Sequence, residues 1–236
     1  MRHHPVLYAM CIALTLTLAL HANAQASEPV PSDAEIIAAQ DNSTLLVVNG
    51  EAVPRWMFDN ALRDVLGTNN TAENVREHEL LHRQRAILDN LVVMELLEQE
   101  AHRQGLTVSL SGGALRTAIV RNGFDSPEDF RRTLAKAGMT EKQYTTIWSQ
   151  QASANRLVDE KVAASVSVSE DELRDRFEQD KHKYRNASFE DVRDQLLSVV
   201  AGEKRHAAFE RYLASLLDKA DVRVVDPHLR AVYEDR

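Results

Sequence analysis

Apolar residues recur along most of this chain at three- and four-residue spacing, the period of a helix with one buried face. The departures lie near the two ends. Leu45-Leu46-Val47-Val48 is a short unbroken apolar run closed by Asn49-Gly50, the pattern of a strand entering a turn. Pro54 then stands where a helical pattern begins, a position at which its missing N–H costs little. Trp56-Met57, Ala61-Leu62 and Val65-Leu66 continue that helix. Near the other end, Val222-Arg223-Val224-Val225 reads as a second short strand.

Between them the punctuation is that of helices. A long helix is predicted from about Thr71 to Gln104, ended by Gly105 and apolar Leu106. Shorter ones follow near Ser111–Arg121 and Pro127–Ala137. The second is introduced by Ser126, with Pro127 at its first position and Glu128 and Asp129 in its first turn. Thr140-x-x-Gln143, Ser169-x-x-Glu172 and Ser188 open three more, reaching Ala164, Tyr184 and the residues before Val222. Gly202 is expected to bend the last, because Gly disfavours a helix interior by about 1 kcal/mol relative to Ala. Pro127 is the only proline between Trp56 and Lys219. The pattern therefore predicts a mostly α fold of seven helices. Two isolated strands are marginal in water, so the first and last are expected to pair as a small ribbon packed on the helices. This domain spans residues 44–226, with residues 227–236 as a C-terminal tail.

The first residues are set apart. Arg2 precedes an apolar run from Val6 to Leu20, and Ala22-Asn23-Ala24 follows. A basic start, a short apolar stretch and small residues at −3 and −1 describe a secretory signal peptide over residues 1–24. A cut after Ala26 and retention as an anchor stay open, although the run falls short of the ~20 residues that span a bilayer comfortably. Residues 25–43, with Pro29, Pro31 and small polar residues, read as a flexible leader.

Composition narrows the function. The 236 residues hold 28 Lys and Arg against 36 Asp and Glu, so the formal charge is −8 and a nucleic-acid partner is not expected. The one cysteine, Cys11, lies inside the apolar run. After cleavage the chain would hold no thiol and would depend on its core, which suits a bacterial periplasm.

His78-Glu79-Leu80-Leu81-His82 is literally H-E-x-x-H, the spacing that puts two imidazoles on one helix face with Glu as general base of a zinc peptidase. At 100° per residue, Leu80, Leu81, Ile87, Leu88, Leu91 and Met94 gather on one side and the histidines on the other, with Arg85 and Asp89. The reading preferred here is a solvated face without metal. There is no G-x-S-x-G elbow, no P-loop and no dinucleotide fingerprint. Trp56, Phe124, Phe130 and Trp148 are core residues or ligand-binding surface.

The order of elements resembles the N-terminal module of SurA-like periplasmic chaperones. Val48-Asn49-Gly50-Glu51-Ala52-Val53-Pro54 before an amphipathic helix is similar to that family's start. So is Ile87–Ala101, with Leu96-Leu97-Glu98-Gln99-Glu100-Ala101 closed by Gly105-Leu106-Thr107-Val108-Ser109. Val166–Leu173 with Tyr184 resembles the segment before the family's isomerase domain, and Ser188–Arg193 with Ala220–Val225 resembles its closing helix and strand. The resemblance covers Leu45 to about Val225.

One departure changes what it implies. In parvulin-type peptidyl-prolyl isomerases a domain of about 100 residues follows the helix ending near Tyr184. Here only Arg185–Ser188 separate Tyr184 from Phe189. The resemblance thus implies an ATP-independent periplasmic holdase for unfolded clients, outer-membrane proteins above all, with no isomerase activity, catalytic residue or cofactor. It implies client contact through a helical groove, for which Phe124, Phe130, Ile147 and Trp148 are the candidates. No stable membrane insertion is expected, and a homodimer stays open. A zinc peptidase and a scaffold protein are the competing functions.

Overall fold

The structure, a computed structural model, describes residues 31–66, 76–184 and 187–234. The signal-peptide segment, the first leader residues, the predicted helix start at Thr71, and Arg185 and Asn186 lie outside them. The described chain runs α1 (Asp33–Ala39), β1 (Thr44–Val48), β2 (Glu51–Pro54), α2 (Arg55–Leu66), α3 (Glu77–Arg103), α4 (Gly112–Arg121), α5 (Pro127–Lys136) and α6 (Glu141–Lys161). It continues through α7 (Glu170–Gln179), α8 (Phe189–Leu217), β3 (Val222–Val224) and α9 (Pro227–Glu234). The fold is mostly α, and the seven helices the pattern predicts are α2 to α8. The chain divides into two units, one of residues up to Ala154 together with Ala220 onward, the other Asn155–Lys219.

The predicted pairing of the first and last strands is present: β1 and β3 are antiparallel, with Leu46 opposite Val224 and Val48 opposite Val222. The sheet has three strands, however, in the order β2-β1-β3, not two. Asn49 (φ 51°) and Gly50 (φ 91°) are both left-handed and turn β1 directly back into β2. Pro54 ends that strand instead of opening a helix. The β1–β2 register shifts between Thr44 and Leu46, which lets Leu45 and Leu46 both be fully buried despite the two-residue period of a strand.

Phe58 of α2, Leu88 and Val92 of α3, and Leu229 of α9 pack with Leu45, Leu46 and Val224 into one core. The tail expected over residues 227–236 is in fact helical through Glu234. Asp226 Oδ1 accepts from the backbone N–H groups of His228 and Leu229, capping α9, while its other oxygen pairs with Arg55. Arg85 Nε donates to the Val232 carbonyl at 3.1 Å.

The leader is likewise not wholly irregular. Ser32 and Glu35 form a capping box that starts α1, and Ile36 is buried. Gln40 then donates to the Gly138 carbonyl and accepts from Gln143, each at 2.6 Å, tying the leader to the turn between α5 and α6.

In the second unit α7 and α8 form a hairpin around Leu173, Phe177, Val192 and Leu196. Capping boxes at Ser169–Glu172 and Ser188–Asp191 open the two helices. Arg176 bridges Asp180 at 2.6 Å and Glu203 at 2.6 and 2.8 Å, holding the carboxyl of Asp180 down at about 2. α8 runs unbroken through Gly202 for 29 residues.

Candidate functional site

The four candidate contact residues come from the segment α4–α6 in the first unit. Ser126 accepts from the Asp129 backbone N–H at 3.1 Å and fixes the start of α5, which turns Phe130 and Leu134 inward. Thr140 and Gln143 cap α6 reciprocally, through backbone-to-side-chain bonds of 2.9 and 3.2 Å. Tyr144 and Ile147 of α6 then pack against the same cluster. Phe130 meets Phe124 at 5.2 Å and Tyr144 at 5.0 Å between ring centroids, both edge to face. Burial raises the Tyr144 hydroxyl above the ordinary phenol value.

The cluster separates the four residues. Phe124 and Phe130 are buried, with Phe130 only 1% exposed; Ile147 is half-buried, and Trp148, one position further round α6, is 37% exposed. Of the four, only Ile147 and Trp148 present surface to solvent beyond a few per cent. Val120, which no pattern in the sequence singles out, is the most exposed large apolar side chain among the described residues, at 71%. It lies at the outer side of α4, whose only charged residues are Arg116 and Arg121. Residues 112–142 hold six Lys and Arg against four Asp and Glu, the reverse of the whole-chain balance.

His78 and His82 are exposed, as their helix position predicts. Leu81 is not on the buried side, however: it is 43% exposed and lines one pocket of about 420 Å³ with both histidines, Arg85, Ala231 and Val232. The approach of α9 to this part of α3 creates that pocket, and no signal in the motif foretells it. Glu79 points away to Arg83, whose hydrogen bond and charge hold its carboxyl below the usual range. Among the described residues, no group of three or more His, Cys, Asp and Glu comes together as a metal site.

The first unit carries a second electrostatic feature. Gln99 donates to Glu95 at 2.8 Å and to the Val48 carbonyl at 2.9 Å, and it accepts from Asn49 at 3.0 Å. Burial, then the nearby charges of Glu98 and Glu51, raise the Glu95 carboxyl, against a lowering bond from Gln99. This group links α3 to the β1–β2 turn.

Helices closed by a small antiparallel sheet, with a buried aromatic cluster among α4, α5 and α6, define a mostly helical module. The family described as SurA-like N-terminal domain matches residues 9–158, more than half of the chain, and the chain belongs to that family. A comparison with curated proteins gives no match. Membership points to a chaperone-type role, since SurA-like domains bind unfolded client proteins. Among the described residues no helix is long and apolar enough to cross a membrane.

Proposed function

We propose that this chain is an ATP-independent holdase of the periplasm that shields unfolded polypeptides, outer-membrane proteins among them, and does not catalyse proline isomerisation. The observation that carries the reading is the family match, which extends over the helical segment bearing Ile147, Trp148 and Val120. Holding an unfolded chain requires adaptable apolar surface with charge around it and no reacting group. Arg116, Arg121 and the exposed indole of Trp148 supply that combination.

The absence of isomerase activity is proposed from the four-residue join between Tyr184 and Phe189. Tyr184 stacks on Phe177 at 5.9 Å, and Phe189 meets Phe177 edge to face at 5.8 Å. The residues on both sides of the Arg185–Ser188 join therefore share one small cluster, and four residues cannot hold a parvulin domain.

Fluorescence anisotropy of a labelled unfolded outer-membrane polypeptide tests the reading. Saturable binding without nucleotide, weakened several-fold by Trp148→Ala, is the expected result. Absence of binding by a folded preparation contradicts it. A proline-limited refolding reaction, whose uncatalysed step takes about 10–100 s, should not accelerate as the protein is added.

A further inference from the structure

We infer that α4 is a displaceable lid over the Phe124–Phe130 cluster, and that the occupant of the uncovered site is an apolar or aromatic side chain of an unfolded polypeptide with acidic flanks. This deepens the holdase reading and rests on it. The first observation is how little holds α4. Ile119 is its one buried residue, and only Leu115 joins it, half-buried, against the cluster. Its Ser111 N-cap makes no side-chain hydrogen bond, unlike Ser126 before α5. Few buried contacts and exposed backbone ends mark the low-stability parts of a fold.

The second observation is where the joints lie. Gly112 (φ 51°) opens the helix, Gly113 follows, and Gly123 (φ 80°) closes it. A Cβ on any of the three would meet nothing within 4 Å, so none is there for close packing, and the left-handed Gly112 and Gly123 answer to backbone conformation. The segments beyond the joints are fixed. On one side Val108 and Leu110 donate their backbone N–H groups to Ser153 and Ser149 of α6, at 2.8 and 3.0 Å. On the other, Ser126 and Pro127 anchor α5.

The third observation is what α4 covers. Withdrawal of Ile119 leaves a place bounded by Phe124, Phe130, Leu134 and Met139, with Tyr144 and Ile147 at its margin. Aromatic edges and a methionine accept apolar side chains of varied shape. Arg116 and Arg121 are the only charges on the lid, so acidic residues flanking the inserted side chain are favoured. The site is a minor conformation that its ligand makes dominant, so loosening the lid should raise affinity.

The test uses the whole protein and a synthetic fluorescent peptide with two aromatic residues flanked by glutamates. Hydrogen exchange should show the amides of α4 exchanging at least ten-fold faster than those of α5 and α6, and slowing when peptide is added. Ile119→Ala should bind the peptide several-fold more tightly than the wild type, and Arg116→Ala with Arg121→Ala several-fold more weakly. If Ile119→Ala does not fold, the exchange pattern and the arginine variant decide. Wild-type binding with α4 as protected as α5, or unaffected by peptide, overturns the lid while leaving the holdase reading in place. Rapid α4 exchange without peptide binding overturns the site. Failure to bind the peptide or any unfolded outer-membrane polypeptide overturns the holdase reading itself.

Discussion

Neighbouring residues on α6 have opposite duties. Ile147 packs on the aromatic cluster, while Trp148 stands 37% exposed. Phe130→Ala should therefore cost about 3–5 kcal/mol of stability, as large-to-small changes in a core do. Trp148→Ala should stay within about 0.5 kcal/mol of the wild type while weakening client binding; urea unfolding and anisotropy measure the two effects. The sequence shows four apolar side chains, and which of them stay accessible depends on how α4, α5 and α6 meet. The histidine pair is legible as exposed, so His78→Ala with His82→Ala should also change stability by less than about 0.5 kcal/mol. Stoichiometric zinc in the purified protein, lost in that double variant, would contradict this assignment. Glu95 behaves differently. Because burial raises its folded pKa above the unfolded value, ionising it at neutral pH works against folding, and that penalty disappears as pH falls through the folded value. Glu95→Gln should raise the Tm at pH 7, by an amount that shrinks toward the ordinary carboxyl range. An equal gain at pH 4 and pH 7 would refute the burial argument.

At the scale of elements, the helices α5, α6, α7 and α8 announce themselves through caps that the structure realises as hydrogen bonds, at Ser126, Thr140, Ser169 and Ser188. The elements that escape notice are α1, β2 and α9, of seven, four and eight residues. Each had a local sign, in Ser32-x-x-Glu35, Asn49-Gly50 and Asp226-Pro227. Elements this short do not persist alone, so the partner that holds them decides: for β2 it is the adjacent β1, while for α1 and α9 it is remote in sequence. For α9 it is Arg55, paired with Asp226, and Arg85, bonded to Val232. The predicted pairing of β1 with β3 is continued by the Val225 N–H, which donates to the Leu45 carbonyl at 2.8 Å. Deleting Val222 onward should uncover Leu45, Leu46 and Val48 and leave an unpaired strand edge. The shortened protein is expected to melt at least several degrees lower, or to aggregate on warming. An unchanged thermal transition would mean that β3 and α9 do not close the first unit.

For the whole molecule, membership of the SurA-like N-terminal family points to a chaperone-type role, and the formal charge of −8 offers phosphate no basic footprint. Weak contacts spread over apolar surface suit a holdase, because clients differ in sequence and must be released. The measurement that bears most directly on this account is light scattering from an outer-membrane polypeptide diluted out of urea, with this protein present in increasing molar ratio and no nucleotide. Aggregation should slow in proportion to added protein, with Trp148→Ala less effective at every ratio. Aggregation at the unprotected rate in several-fold molar excess of protein, folded as judged by helical circular dichroism, would contradict it.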